Sequence, residues 1–230
     1  MKKISVIVLA AGKGSRMNCT QKKQFIELDG KPVLYYCLKR FEDSSIDEII
    51  LVAAKEDIEY CRLHIVEKFG ITKVKAYAEG GRERYESVKN GLAKATGDVC
   101  MIHDGARPFP PVKAIEELCR LATKREAVIL SVPVKDTIKV VDENGDICST
   151  PNRGSLRAAQ TPQMFHKAVL CRAYDEMALV GDTTVTDDAM VVERYANVTV
   201  GTIMGSYTNL KITTPEDLET AENLCKINCL

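Results

Sequence analysis

Continuous apolar runs alternate with helically spaced apolar residues along nearly the whole 230-residue chain. Residues 4–10 (ISVIVLA) form an unbroken, β-branched run, which predicts a strand buried on both faces. Residues 49–54, 74–78, 99–103 and 127–134 carry the same signal. Between them, 33–41, 58–68, 83–95 and 112–124 repeat apolar residues at helical spacing. This alternation implies an α/β fold with a mostly parallel sheet and helices on both faces. In such sheets ligands bind beyond the carboxyl ends of the strands.

The rhythm breaks after residue 134. Residues 136–141 and 146–149 flank Glu143-Asn144-Gly145, and Asn-Gly between short strand-like runs predicts a hairpin. The resulting ribbon, about 135–156, is polar, and a lone two-stranded ribbon is marginal in water. It is therefore expected to protrude as an arm and pack on another surface, most economically a second copy of the chain. Helices follow at 166–177 and 187–195, with strands at 198–203 and 210–213. A last helix opens at Thr214-Pro215-Glu216-Asp217, a cap Thr with Pro at the first position and an acid three residues after the cap. No linker or repeat interrupts, so residues 1–230 are expected to form one domain.

Composition narrows the partners. Basic and acidic residues balance at 32 each, without the basic excess that a nucleic-acid backbone requires. Nine cysteines, an odd number with no CxxC pair, point to reduced thiols; Cys61, Cys100, Cys119, Cys148 and Cys225 are expected to be mostly buried. The first apolar run is too short to span a bilayer and leads into a glycine loop, so no membrane partner and a cytoplasmic location are expected.

Candidate chemistry concentrates in that loop: Ala10-Ala11-Gly12-Lys13-Gly14-Ser15-Arg16-Met17, then Lys22-Lys23-Gln24-Phe25. Small residues let backbone N–H groups approach a phosphate, and Arg16, Lys22 and Lys23 add positive charge. A dinucleotide fingerprint fails, because Met17 stands where its third glycine belongs and no acid ends the second strand. A P-loop fails as well, for want of Gly-Lys-Ser/Thr. Further on, Gly80-Gly81 precedes a helix beginning near Glu83, and His103-Asp104-Gly105-Ala106-Arg107-Pro108 follows a buried strand. Asp104 can bind a hydroxyl or a metal and Arg107 can fork onto a phosphate, or the two can shape a turn. His103, closing a buried strand, is expected to be structural. Asp187 and Asp188 can equally be helix-start acids.

The segments AAGKGSRM and KKQF, followed in order by GGRERYESV, HDGARPF, VPVKDTIK, QTPQMF, TDDA and NLKITTP, resemble the methylerythritol-phosphate cytidylyltransferases of the sugar-nucleotide pyrophosphorylase superfamily. The resemblance spans the chain. It implies a Rossmann-like nucleotidyltransferase fold and transfer of CMP from CTP to a small sugar or polyol phosphate, with Mg²⁺ or another divalent cation on the triphosphate. It further implies a homodimer through an exchanged β-arm. The residues it implies for the nucleotide are Ala10, Ala11, Gly12, Gly14, Gly81, Arg82 and Ser87. Arg16, Lys23 and Lys211 would stabilise charge in the transition state. Asp104, Arg107, Thr137, Arg153, Thr161 and Thr186 would bind the acceptor; no protein ligand of the metal is assigned. Within the enzyme class a ribitol 5-phosphate cytidylyltransferase shares most of these motifs. A non-catalytic sugar-nucleotide sensor on the same fold is the reading from another class. The nucleophile would be a phosphate monoester, nearly dianionic near neutrality because its second pKa is about 6, so no general base is needed.

Overall fold

The computed structural model describes residues 2–12 and 22–228. Its strands, in chain order, are β1 (Ile4–Leu9), β2 (Glu27–Leu28), β3 (Lys31–Pro32), β4 (Glu48–Ala53), β5 (Val74–Glu79), β6 (Val99–Asp104), β7 (Ala127–Pro133), β8 (Val140–Val141), β9 (Ile147–Ser149), β10 (Arg157–His166) and β11 (Gly201–Met204). The helices are α1 (Val33–Glu42), α2 (Ile58–Cys61), α3 (Arg84–Lys94), α4 (Val112–Leu121), α5 (Lys167–Val180), α6 (Asp188–Tyr195) and α7 (Pro215–Asn228).

Seven strands form the central sheet in the order β11-β7-β10-β6-β1-β4-β5. All its pairings are parallel except those of β10, which runs antiparallel to both β6 and β7. Alternate side chains explain the two helical layers. Val6 and Val8 of β1, with Ile49 and Leu51 of β4 and Met101 of β6, pack toward α1 and α4. Ile7, Ile50, Val52 and Ile102 point the other way, into the layer of α3, α5 and α6. A third cluster joins Leu28, Tyr36 and Phe109 to Ile212, Ala221 and Cys225, which seats α7 and the segment before it.

Most predicted elements occupy their expected places, and the cap of α7 does too: Asp217 accepts from the N–H groups of Thr213 and Thr214. Four differences stand out. Residues 210–213 are not a strand; the N–H of Ile212 donates to Ala106 O at 2.9 Å, so the segment rests on a loop and has no ladder to join. The long strand β10 has no counterpart in the sequence reading, which ended the arm at 156 and resumed only at 166. Residues 58–68 begin as α2 and continue as a π-helical stretch over Arg62–Glu67. Cys148 is exposed on the arm, unlike buried Cys61, Cys100 and Cys225 and half-buried Cys119.

The arm itself, 135–159, is exposed throughout except for Pro151 and Leu156, and its β8–β9 ladder is short. Ile138, Val140, Val141 and Ile147 are exposed apolar residues on it. Its base is fastened: the Tyr207 hydroxyl donates to Pro133 O at 2.8 Å and Lys135 Nζ lies 3.9 Å from the Tyr207 ring centre.

One buried charge ties the amino ends of the sheet together. Glu48, 4% exposed, accepts from the Ser5 hydroxyl at 2.6 Å, from Thr96 N at 2.7 Å and from the Thr96 hydroxyl at 2.8 Å. Burial alone would raise its pKa, but these hydrogen bonds and Lys3 outweigh it and hold the carboxyl down from 4.5 to about 2. The stabilisation is therefore complete above pH 4.5 and is lost as pH falls through about 2. Glu48→Gln is expected to cost about 2–3 kcal/mol at pH 7 in urea unfolding, and to flatten the loss of stability between those two pH values.

Candidate active site

A cleft of about 630 Å³ opens at the carboxyl edge of the sheet. Leu9–Gly12 line it after β1, Gly80, Gly81 and Arg82 after β5, Asp104 and Ala106 after β6, with Lys23, Gln24 and Lys211. This is where a doubly wound sheet places its ligands.

One pole is built from backbone and small side chains. Ala10 N donates to Val52 O at 2.7 Å, continuing the β1 ladder into the loop. Buried Gln24 holds that loop from below, its side-chain amide donating to Ala10 O at 2.7 Å and Gly12 O at 3.3 Å. Opposite, a Cβ on Gly80 would come within 2.2 Å of the Ala11 Cβ, so only glycine lets the two loops meet. Gly81 N donates to the Ser87 hydroxyl at 3.0 Å, and Glu83 and Glu86 form a reciprocal cap at the start of α3. Ala10, Ala11, Gly12, Gly81, Arg82 and Ser87 are thus gathered around one concave wall. Gly14 and Arg16 lie outside the described residues.

The other pole is charged. Asp104 ends β6 with Lys211 Nζ 2.9 Å from one carboxylate oxygen, Arg107 Nε 3.8 Å from the same oxygen and Arg84 Nε 3.6 Å from the other. Burial alone would raise the Asp104 pKa, but the surrounding cations, Arg84 and Lys211 foremost, hold it well below the usual carboxylate range. Lys22 and Lys23 separate cleanly. Lys22 pairs with Glu56 at 3.0 Å and Asp57 at 2.5 Å, whereas Lys23 lines the cleft.

His103 lies beneath this floor with no exposure. Its Nε2 lies 3.1 Å from Arg107 O, a pure acceptor, so Nε2 carries the proton. Burial lowers its pKa to about 4, leaving Nδ1 bare to accept from the Thr161 hydroxyl at 3.0 Å. That hydroxyl in turn accepts the Asp104 N–H at 3.1 Å. Thr161 is therefore buried under Asp104. Arg107 turns inward, donating to Asn209 O at 2.7 Å. Thr186 lies at an adjoining hollow of about 80 Å³ that shares Glu83 and Arg84 with the cleft. Thr137 and Arg153 are on the exposed arm, where Arg153 donates to Lys135 O at 2.9 Å. Within one chain, then, Arg107, Thr137, Arg153, Thr161 and Thr186 do not line the cleft.

A sequence profile described as "IspD: 2-C-methyl-D-erythritol 4-phosphate cytidylyltransferase" matches residues 4–226. The chain belongs to this family. It is 48% identical to a protein of that name from Alkaliphilus metalliredigens, across 94% of this chain and 90% of the other. A namesake from Lachnoclostridium phytofermentans is 43% identical, across 98% and 97%. The crystal structure of 4-diphosphocytidyl-2C-methyl-D-erythritol synthase from Anaerococcus prevotii superposes with a TM-score of 0.85 at 33% identity, covering 98% of this chain and 96% of that one. The Thermus thermophilus 2-C-methyl-D-erythritol 4-phosphate cytidylyltransferase gives 0.77 at 28%, covering 97% and 99%. Membership of the IspD family extends over arm, cleft and α7 alike. Sequence reading passed over two side chains that organise this cleft, Gln24 and Arg84. Gln24 had a signal, standing between Lys23 and Phe25 in the quoted motif, but its buried amide could be assigned only from structure.

Proposed function

We propose that the chain transfers CMP from CTP to 2-C-methyl-D-erythritol 4-phosphate, forming 4-diphosphocytidyl-2-C-methyl-D-erythritol and pyrophosphate for non-mevalonate isoprenoid synthesis. The observation that carries this is one cleft with two unlike poles, in a chain of this family. A backbone-lined wall of Ala10, Ala11, Gly81 and Ser87 suits a flat base, and Lys23 and Lys211 face the phosphates from two loops. The acceptor phosphate attacks the α-phosphorus as the bond to the pyrophosphate leaving group breaks. Lys23 and Arg16 offset charge on the α-phosphate, and Lys211 does so from the acceptor side. Buried, neutral His103 is not needed as a base, because the attacking oxygen is already ionised.

Among the described residues no group of three or more His, Cys, Asp or Glu side chains could hold a metal. Asp104 is the carboxylate nearest the cationic pole, and Mg²⁺ typically uses one or two carboxylates together with substrate phosphates. That carboxylate is already paired with Lys211, Arg107 and Arg84, so the residues fit a Mg²⁺ that arrives on the triphosphate and is held by its oxygens. When bound, it supplies charge neutralisation and orientation of the leaving group. Among the described residues no helix is long and apolar enough to cross a membrane. We place the chain in the cytoplasm as a homodimer whose exchanged arms bring Thr137 and Arg153 to the partner's cleft. Pyrophosphate release with CTP and Mg²⁺ tests the reading. A preference of about a hundredfold or more in kcat/KM for methylerythritol phosphate over D-ribitol 5-phosphate is expected, since a site that hydrogen-bonds a hydroxyl rejects mismatched polyols strongly. The reverse preference would reassign the acceptor, and silence with both would point to a sensor.

A further inference from the structure

Arg84, the first residue of α3, lies between the cleft and the hollow that holds Thr186 and lines both. Its two ends engage two carboxylates. Nε is 3.6 Å from Asp104 and Nη2 is 2.6 Å from Asp188. Asp188 has no exposure, and a charge so placed is tolerated only when paired and hydrogen-bonded. Its second oxygen accepts from the Tyr174 hydroxyl at 2.5 Å. Tyr174 is itself buried, and burial together with Asp188 raises its pKa well above the ordinary value, so it stays a donor.

Asp188 is anchored to a fixed element. It opens α6, where Asp187 caps Met190 N at 2.9 Å, while Gln163 of β10 donates to Asp187 at 2.8 Å and accepts from Ala189 N at 3.0 Å. Tyr174, Asp188, Arg84 and Asp104 thus form one relay from α5 to the cleft floor. A planar, forked guanidinium can bridge two carboxylates, whereas an ammonium is a single point of charge. Charge conservation alone would not preserve this arrangement.

We propose that Arg84 is a positioning residue: it fixes the Asp104 carboxylate against the start of α6 and so sets the spacing between Asp104 and Thr186 that receives the polyol of the acceptor. This rests on the transferase reading above. Arg84 follows Gly81 and Arg82 in the chain, but its guanidinium is committed to Asp104 and Asp188, so the acceptor is expected to feel the change more than the nucleotide. Tyr174→Phe acts on the same relay without altering a charge, by removing the hydroxyl that donates to Asp188.

The test is steady-state kinetics of pyrophosphate release, with each substrate varied in turn, alongside thermal unfolding. Arg84→Lys is expected to raise the acceptor KM about tenfold while the CTP KM stays within about twofold. Tyr174→Phe should raise the acceptor KM about threefold, and the double variant should fall short of the product of the two effects, because both act on one relay. Equal rises in both KM values, or a Tyr174→Phe protein altered only in melting temperature, overturn the inference. So does a Tyr174→Phe protein with wild-type acceptor KM beside an impaired Arg84→Lys, which would make Arg84 a direct contact. Should Arg84→Lys fail to fold, Tyr174→Phe and Asp188→Asn carry the same comparison. Turnover by the unaltered chain keeps the two claims apart: its absence removes both, whereas an active chain with insensitive variants removes this one alone.

Discussion

Lys23→Ala is expected to lower kcat by about two to three orders of magnitude, the cost of one donor aimed at developing charge. The melting temperature should move little, because the buried neighbours Gln24 and Phe25 carry the local packing. The informative control is the adjacent lysine. Lys22 is committed to Glu56 and Asp57, so Lys22→Ala should keep kcat within about threefold while losing the modest stability of a partly exposed pair. If the two alanine variants fell equally in turnover, a specific role for Lys23 could not stand.

Arg153→Ala is expected to abolish most activity by a different route, raising the acceptor KM or lowering turnover while CTP binding persists. In a single chain Arg153 is on the exposed arm and donates to Lys135 O, and it does not line the cleft. A partner's arm would supply it. Mixed dimers of Arg153→Ala and Lys23→Ala chains should then regain activity, because one of their two sites receives an intact Lys23 and an intact arm. Titrating one inactive chain against the other and measuring pyrophosphate release checks this. No recovery, with mixed dimers demonstrated by mass, would rule out a site completed by the partner's arm.

What the sequence made legible follows from burial. β1, β4, β6 and β7 were found because strands covered on both faces are written as nearly unbroken apolar runs, whereas β5, at the sheet edge, exposes Lys75 within its run. The loops at their carboxyl ends followed from topology alone. β10 was invisible for the opposite reason: Gln160, Thr161 and Gln163 are buried polar residues in mid-strand, satisfied by Ser206, His103 and Asp187. A hydrophobic pattern cannot register side chains whose partners are tens of residues away. Leu210–Thr213 misled in the converse sense, since Ile212 is buried as a strand residue would be but bonds a loop. The Asp104 cluster shows the same division. Its carboxylate and Lys211 were named from motifs, but the inward turn of Arg107 and the bridging position of Arg84 depend on Asn209 and Asp188, which no spacing relates to them.

The antiparallel strand β10 runs from the arm into the cleft floor. Its first three residues, Arg157 to Ala159, are exposed as the return leg of the arm and pair with β7 alone, while Gln163 to Phe165 are clamped between β6 and β7. Thr161, whose hydroxyl receives the Asp104 N–H, sits about 13 Å along the same strand from Arg157 at about 3.3 Å per residue. The pairing with β7 shifts register between Gln160 and Gln163, so Thr161 stands at a bulge within the strand. A neighbouring subunit that displaced the arm would therefore act, through this strand and its bulge, on the backbone that presents Asp104. Assembly and acceptor affinity should rise and fall together upon dilution.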